Sequence, residues 1–198
     1  MARRPDPTTR QRILDTAAGL FDAHGVHAVG LQQIIDELGC GKNLLYREFA
    51  TKDDLVTAYL ARCREDWHAM ATAALATCPD DPAGQLLALV RASVERALQP
   101  GFRGCPVHNA YAEFHQPGQP VEPVATAHFR TVRDLLLDLA RQAGAADPRR
   151  LADRLELIVD GATANAAALG GEGAAGTAVS FAEDVVRAGT GARPPGTS

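Results

Sequence analysis

Apolar residues in this chain recur at three- and four-residue spacing, and no stretch alternates apolar with polar residues between hairpin turns. Such a chain folds as helices. Composition points the same way, since Ala is the commonest residue at 37 copies and aromatics are only 5%. Ala loses no side-chain entropy in a helix. A length of 198 residues is enough to bury a core without disulfides or metals. With 46% hydrophobic and 22% charged residues, the chain is globular rather than disordered.

Pro and Gly punctuate the chain into about nine helices. The first opens at Asp6-Pro7-Thr8, repeats Ile13, Leu14, Ala17, Leu20 and Phe21, and stops at Gly25. Short helices fit 31–38 and 42–48, parted by Gly39-Cys40-Gly41. Thr51 caps a long helix over 52–77. Further helices fit 82–98, 104–115, 123–143, 148–170 and 174–188. The spacing predicts an all-α protein: a three-helix N-terminal domain over 1–51, a larger helical domain over 52–190, and a frayed tail over 191–198. The long helix joins the two domains.

No run approaches the roughly 18 to 20 apolar residues that cross a bilayer. MARRPDPTTR has no apolar run behind its charges, so it is no secretory signal. A cytoplasmic protein is expected. Cys40, Cys63, Cys78 and Cys105 have neither metal-site nor disulfide-framework spacing and read as reduced thiols.

The net charge is -4, yet residues 1–12 carry four Arg against one acid, and the only two Lys, Lys42 and Lys52, lie close together. They bracket two short helices joined by a Gly-containing turn, the helix-turn-helix pattern. In that pattern the second helix enters the major groove. Here it would present Lys42, Asn43, Tyr46 and Arg47. Lys can donate to guanine, and Asn can pair with adenine. Tyr46, Arg47 and Lys52 suit phosphate oxygens. Gln32, Gln33, Arg4 and Arg10 are further candidates for DNA contact.

TTRQRILDTAAGLFDAHGVHAVGLQQIIDELGCGKNLLYREFATKDDL resembles the DNA-binding segment of the TetR family of transcriptional regulators. The correspondence runs from Thr9 to Leu55. It includes Arg12, Ala17, Phe21, Gly25, Ile34, Gly39, Lys42, Leu45, Tyr46, Phe49 and Lys52. RGCPVHNAYAEF resembles a GCxxxNAAxE stretch found in the C-terminal domains of many such regulators. The resemblance implies an all-helical homodimer, a ligand pocket in the C-terminal domain, and release of a palindromic operator when a small organic effector binds. Gly30 stands where the family usually caps with Thr or Ser, Glu48 where His is usual, and Gly41 where Ser is common. Glu48 would face DNA unfavourably unless Arg47 or Arg12 neutralises it.

Beyond the motif, Trp67, Met70, Phe102, His108, Asn109, Tyr111, Phe114 and Phe129 are candidate pocket residues, with plain core filling as the alternative. A buried Asn109 would need a partner, and a ligand is one. Leu151, Leu155, Ile158, Ala162, Asn165 and Leu169, with Val179, Ala182, Val185 and Val186, are candidates for a four-helix dimer interface, or else an internal core face. A DNA-binding dimer without ligand, or an oxidant or electrophile sensor acting through Cys40, Cys63 or Cys105, are alternatives. His108 and His115, with His68 or His128, make only a weak metal pattern, and neither metal nor cofactor is expected. No paired catalytic motif or phosphate-cradling loop speaks for an enzyme.

Overall fold

The computed structural model describes residues 7–39, 41–114 and 118–191. Among them are nine α-helices and no strand: α1 (Pro7–His24), α2 (Leu31–Leu38), α3 (Lys42–Glu48), α4 (Lys52–Leu75), α5 (Pro82–Ala97), α6 (Pro106–Glu113), α7 (Val121–Gln142), α8 (Pro148–Leu169) and α9 (Ala178–Thr190). The expected helix at 174 begins instead at Ala178, after 3-10 turns over Gly170–Glu172 and Ala174–Thr177. Gly171, Gly173 and Gly176 crowd that stretch, and each costs a helix about 1 kcal/mol relative to Ala. Arg4, Cys40, His115 and the tail beyond 191 lie outside the described residues.

Local chemistry sets the helix ends. Thr51 and Asp54 form a reciprocal cap: the Asp54 amide donates to Thr51 Oγ1 at 3.1 Å, and the Thr51 amide donates to Asp54 Oδ2 at 3.0 Å. Asp81 accepts from the Gly84 amide at 2.9 Å, and Asp147 from the Arg150 amide at 3.0 Å, each just before a proline at the first helical turn. Gly39 ends α2 in the left-handed region, at φ 63°. Gly30 begins α2 with no side-chain cap.

The chain forms two compact units. The first comprises residues up to Glu65 together with Pro106–Ala127, so α6 and the start of α7 return to the N-terminal helices. Its core is built from Ile13, Ala17, Phe21, Val29, Ile34, Leu45, Phe49, Leu55 and Leu60, all buried. α1, α2 and α3 pack against one another. The first half of α4 adds Tyr59, whose ring meets Phe21 edge-on at 5.2 Å and whose hydroxyl donates to Asp22. Burial, with the neighbouring Cys63 and Asp22, holds the Tyr59 phenol well above its ordinary value.

The second unit comprises Asp66–Cys105 and residues from His128 onward. There α5, α8 and α9 pack against each other around Leu86, Val90, Leu151, Leu155, Ala182 and Val186.

Candidate nucleic-acid interface

The periodicity of α3 divides it into two faces. Leu45, Glu48 and Phe49 are buried, while Lys42, Asn43, Tyr46 and Arg47 are exposed. The exposed four occupy positions i, i+1, i+4 and i+5, a single helix face. Lys42 Nζ lies 5.5 Å from the centre of the Tyr46 ring, a cation–π contact that keeps both groups on the surface. Asn43 is exposed beside them. On α2, Gln33 is exposed, and Gln32 Nε2 donates to Asp36 Oδ1 at 2.7 Å.

Three other candidate cations are already engaged within the first unit. Arg10 Nη1 donates to the Glu48 carbonyl at 2.5 Å, and its guanidinium stacks 4.0 Å over the Phe49 ring. Lys52 Nζ donates to the His27 carbonyl at 3.2 Å. Partial burial pulls its pKa down, while Glu113 and Asp53 pull it back up. Arg47 pairs with Glu48 at 3.2 Å. Glu48 therefore does not stand out towards a partner, because its side chain is only 1% exposed. Of the two arginines expected to neutralise it, Arg47 does so, while Arg12 lines a surface hollow with Asp15 and Glu37.

Glu113, at the end of α6, accepts a hydrogen bond from the His27 amide. Its carboxylate lies where a side chain on Gly25 would go, only 2.7 Å from an ideal Cβ, and Gly25 has φ 87°. Phe114 meets His27 edge-on at 6.0 Å. The end of the GCPVHNAYAEF segment thus braces the turn between α1 and α2.

The eight pocket candidates fall into different units. Trp67, Met70, Phe102 and Phe129 are half-buried residues of the second unit, and Trp67 and Phe102 pack on its core. His108, Asn109 and Tyr111 are exposed on α6 in the first unit, with Phe114 half-buried beside them. Burial of Asn109, the premise for giving it a ligand partner, does not arise. His128 is a buried polar residue of the second unit. It is 4% exposed, its Nδ1 has no hydrogen-bond partner, and its ring meets Trp67 edge-on at 5.5 Å. The signal for it is in the sequence: His128 continues the α7 stripe of Val121, Ala125, Leu136 and Leu139. No cluster of three or more His, Cys, Asp or Glu placed for a metal occurs among the described residues. Cys63 is buried, and Cys78 and Cys105 are half-buried.

The α8 stripe predicted for an interface is mostly core. Leu151, Leu155, Ala182 and Val186 are buried inside the second unit, and Val179 packs on that core. Asn165 Nδ2 turns back to its own helix, donating to the Gly161 carbonyl at 2.8 Å. Packing α8 against both α5 and α9 consumes this face, which periodicity alone could not assign. The exposed apolar surface lies beside it. Leu157 is 71% exposed and Phe181 58%, and between them a groove of about 540 Å³ is lined also by Ile158, Gly161, Ala162, Ala174, Ala178 and Val185. Leu169 is exposed as well. Of the predicted interface residues, Ile158, Ala162 and Val185 reach this groove.

A helical unit that offers Lys, Asn, Tyr and Arg from the second helix of a helix-turn-helix is built as a DNA-binding module. Residues 13–59 match the model for the N-terminal domain of bacterial regulatory proteins of the tetR family. The crystal structure of a TetR-family transcriptional regulator from Streptomyces coelicolor is similar at 35% identity and a TM-score of 0.87, covering 92% of this chain and 96% of that one. The HTH-type transcriptional regulator LmrA of Bacillus subtilis is 25% identical over 142 residues, 71% of this chain and 76% of LmrA. A TetR-family regulator from Cytophaga hutchinsonii, 18% identical, has the same fold at a TM-score of 0.81, over 95% of this chain and 97% of that one. This chain belongs to the TetR family and is a DNA-binding transcriptional regulator, not an enzyme. No helix among the described residues is long and apolar enough to cross a membrane.

Proposed function

We propose that the protein is a cytoplasmic, ligand-responsive repressor that binds a palindromic operator as a homodimer and is released by a small organic effector. Residues 1–51 would read DNA, and residues 52–190 would take the effector and form the dimer. The observation that carries this reading is the exposed face of α3, with Lys42 and Asn43 to read bases and Tyr46 beside them. The apolar groove between α8 and α9 supports the dimer, since water-exposed Leu157 and Phe181 gain free energy when a second copy covers them. A two-fold pair of α3 helices about 34 Å apart then matches one turn of DNA.

α4 belongs to both units, Lys52–Glu65 to the first and Asp66–Leu75 to the second. A shift of α4 on effector binding would change the separation of the two α3 helices. The effector must favour the DNA-incompetent state by a few kcal/mol for this to release the operator. Salt-titrated binding of the purified protein to the DNA upstream of its own gene tests the reading, with Lys42→Ala and random DNA alongside. Specific binding that falls steeply with salt and is lost in the variant is the expected result. Equal binding to random DNA by both proteins refutes it for that site, and selection from random DNA then decides whether any operator exists. The packing of Trp67 and Phe102 on the core favours a second reading for those two as core rather than pocket.

A further inference from the structure

We propose that Arg47 reads guanine, and that the buried carboxylate of Glu48 is the positioning group that holds it for this task. The proposal rests on the reading that α3 enters the major groove.

Arg47 follows Asn43 by one turn on the exposed face of α3, and its side chain is 47% exposed. Arg47 Nε donates to Glu48 Oε1 at 3.2 Å, and Nη2 lies 3.2 Å from the same oxygen. This is a side-on engagement. It occupies the Nε edge of the guanidinium and leaves the end-on edge, Nη1 and the outer hydrogen of Nη2, unused by the carboxylate. Two parallel N–H groups on that edge match the O6 and N7 acceptors of guanine.

The pair also offsets part of the charge of Arg47, which reduces its Coulomb attraction to the DNA backbone while the directed donors remain. Holding the guanidinium in one orientation lowers the side-chain entropy lost on binding. Burial of an ionised carboxylate is costly unless it is paired. Arg10, fixed on the Glu48 carbonyl and the Phe49 ring, brings a second positive charge to this end of α3. The Glu48 side chain, 1% exposed, lies away from the exposed face of α3.

Selection of binding sites from random duplex DNA tests this, using the full chain and the variants Arg47→Ala, Arg47→Lys, Glu48→Gln and Asn43→Ala, with folding checked by circular dichroism. The wild type is expected to enrich guanine at one position of each half-site. Arg47→Ala and Arg47→Lys lose that preference by roughly tenfold or more, the rest of the motif being kept. Glu48→Gln keeps Arg47 but weakens the same preference, and Asn43→Ala relaxes a different position. An unchanged motif with uniformly lower affinity in the Arg47 variants makes Arg47 a phosphate contact and overturns the proposal. An unchanged guanine preference in a folded Glu48→Gln overturns the role of Glu48. Should Glu48→Gln unfold, Glu48→Asp takes its place, since its shorter side chain keeps the charge but draws the carboxylate back from Arg47, and the same two outcomes decide. A wild type that enriches no motif refutes DNA reading by α3 itself, an outcome distinct from loss at one position.

Discussion

Lys42 and Tyr46 sit one turn apart on the exposed face of α3 and contribute nothing to the core beneath. Lys42→Ala and Tyr46→Ala are therefore expected to weaken operator binding several-fold while thermal unfolding stays within about 0.5 kcal/mol of wild type. Lys42→Ala should also lower the slope of log affinity against log salt by about one unit, if it meets phosphate as well as base. Tyr59 is the opposite case. Its hydroxyl, bonded to Asp22, ties α4 to α1 inside the first unit. Tyr59→Phe is expected to cost about 1 to 2 kcal/mol in urea unfolding. Its folded phenol is held protonated, chiefly by burial, whereas the unfolded phenol ionises near pH 10. Stability from this group is complete below about pH 10 and falls as pH rises further. Tyr59→Phe should flatten that alkaline decline.

Among the elements, α2 lacks a capping side chain. Gly30 has extended backbone, φ -87° and ψ 154°, and nothing lies within 4 Å of an added Cβ. Gly30→Ser is expected to raise stability by a few tenths of a kcal/mol. An increase in operator affinity beyond wild type would show that the new hydroxyl also meets phosphate. The α1–α2 turn responds in the other direction. Gly25 combines a left-handed φ of 87° with the Glu113 carboxylate at the place of a Cβ. Gly25→Ala should destabilise by about 1 to 2 kcal/mol in thermal melts.

At the scale of the whole molecule, the proposed dimer depends on the α8–α9 groove, not on the stripe buried within the second unit. Leu157→Asp combined with Phe181→Asp should shift the protein from dimer to monomer in sedimentation equilibrium. It should leave helix content unchanged, because both side chains are more than half exposed. Operator affinity should fall with it, since one recognition helix alone reads half a palindrome. A dimer that survives this double variant would remove the groove from the assembly.

Much of this was legible in the residues themselves. Helix spacing, proline and capping residues placed the nine helices of the described residues, the last of them starting too early, because those signals act within a few residues of the chain. The exposed face of α3 was legible for the same reason, as Lys42, Asn43, Tyr46 and Arg47 share a face once 42–48 is a helix. Periodicity gives an apolar face but not its neighbour. Only the packing of α8 against α5 and α9 decided that Leu151 and Leu155 are core while Leu157 is exposed. Charge counting likewise found Arg10 and Lys52 but not their partners. The Glu48 carbonyl and the His27 carbonyl come to them only through the tertiary fold, whereas the pair of neighbours Arg47 and Glu48 was already weighed from the sequence. The sequence by itself determined the helices and the family. The structure decided which faces and charges remain for a partner, because burial and pairing are set by residues distant along the chain.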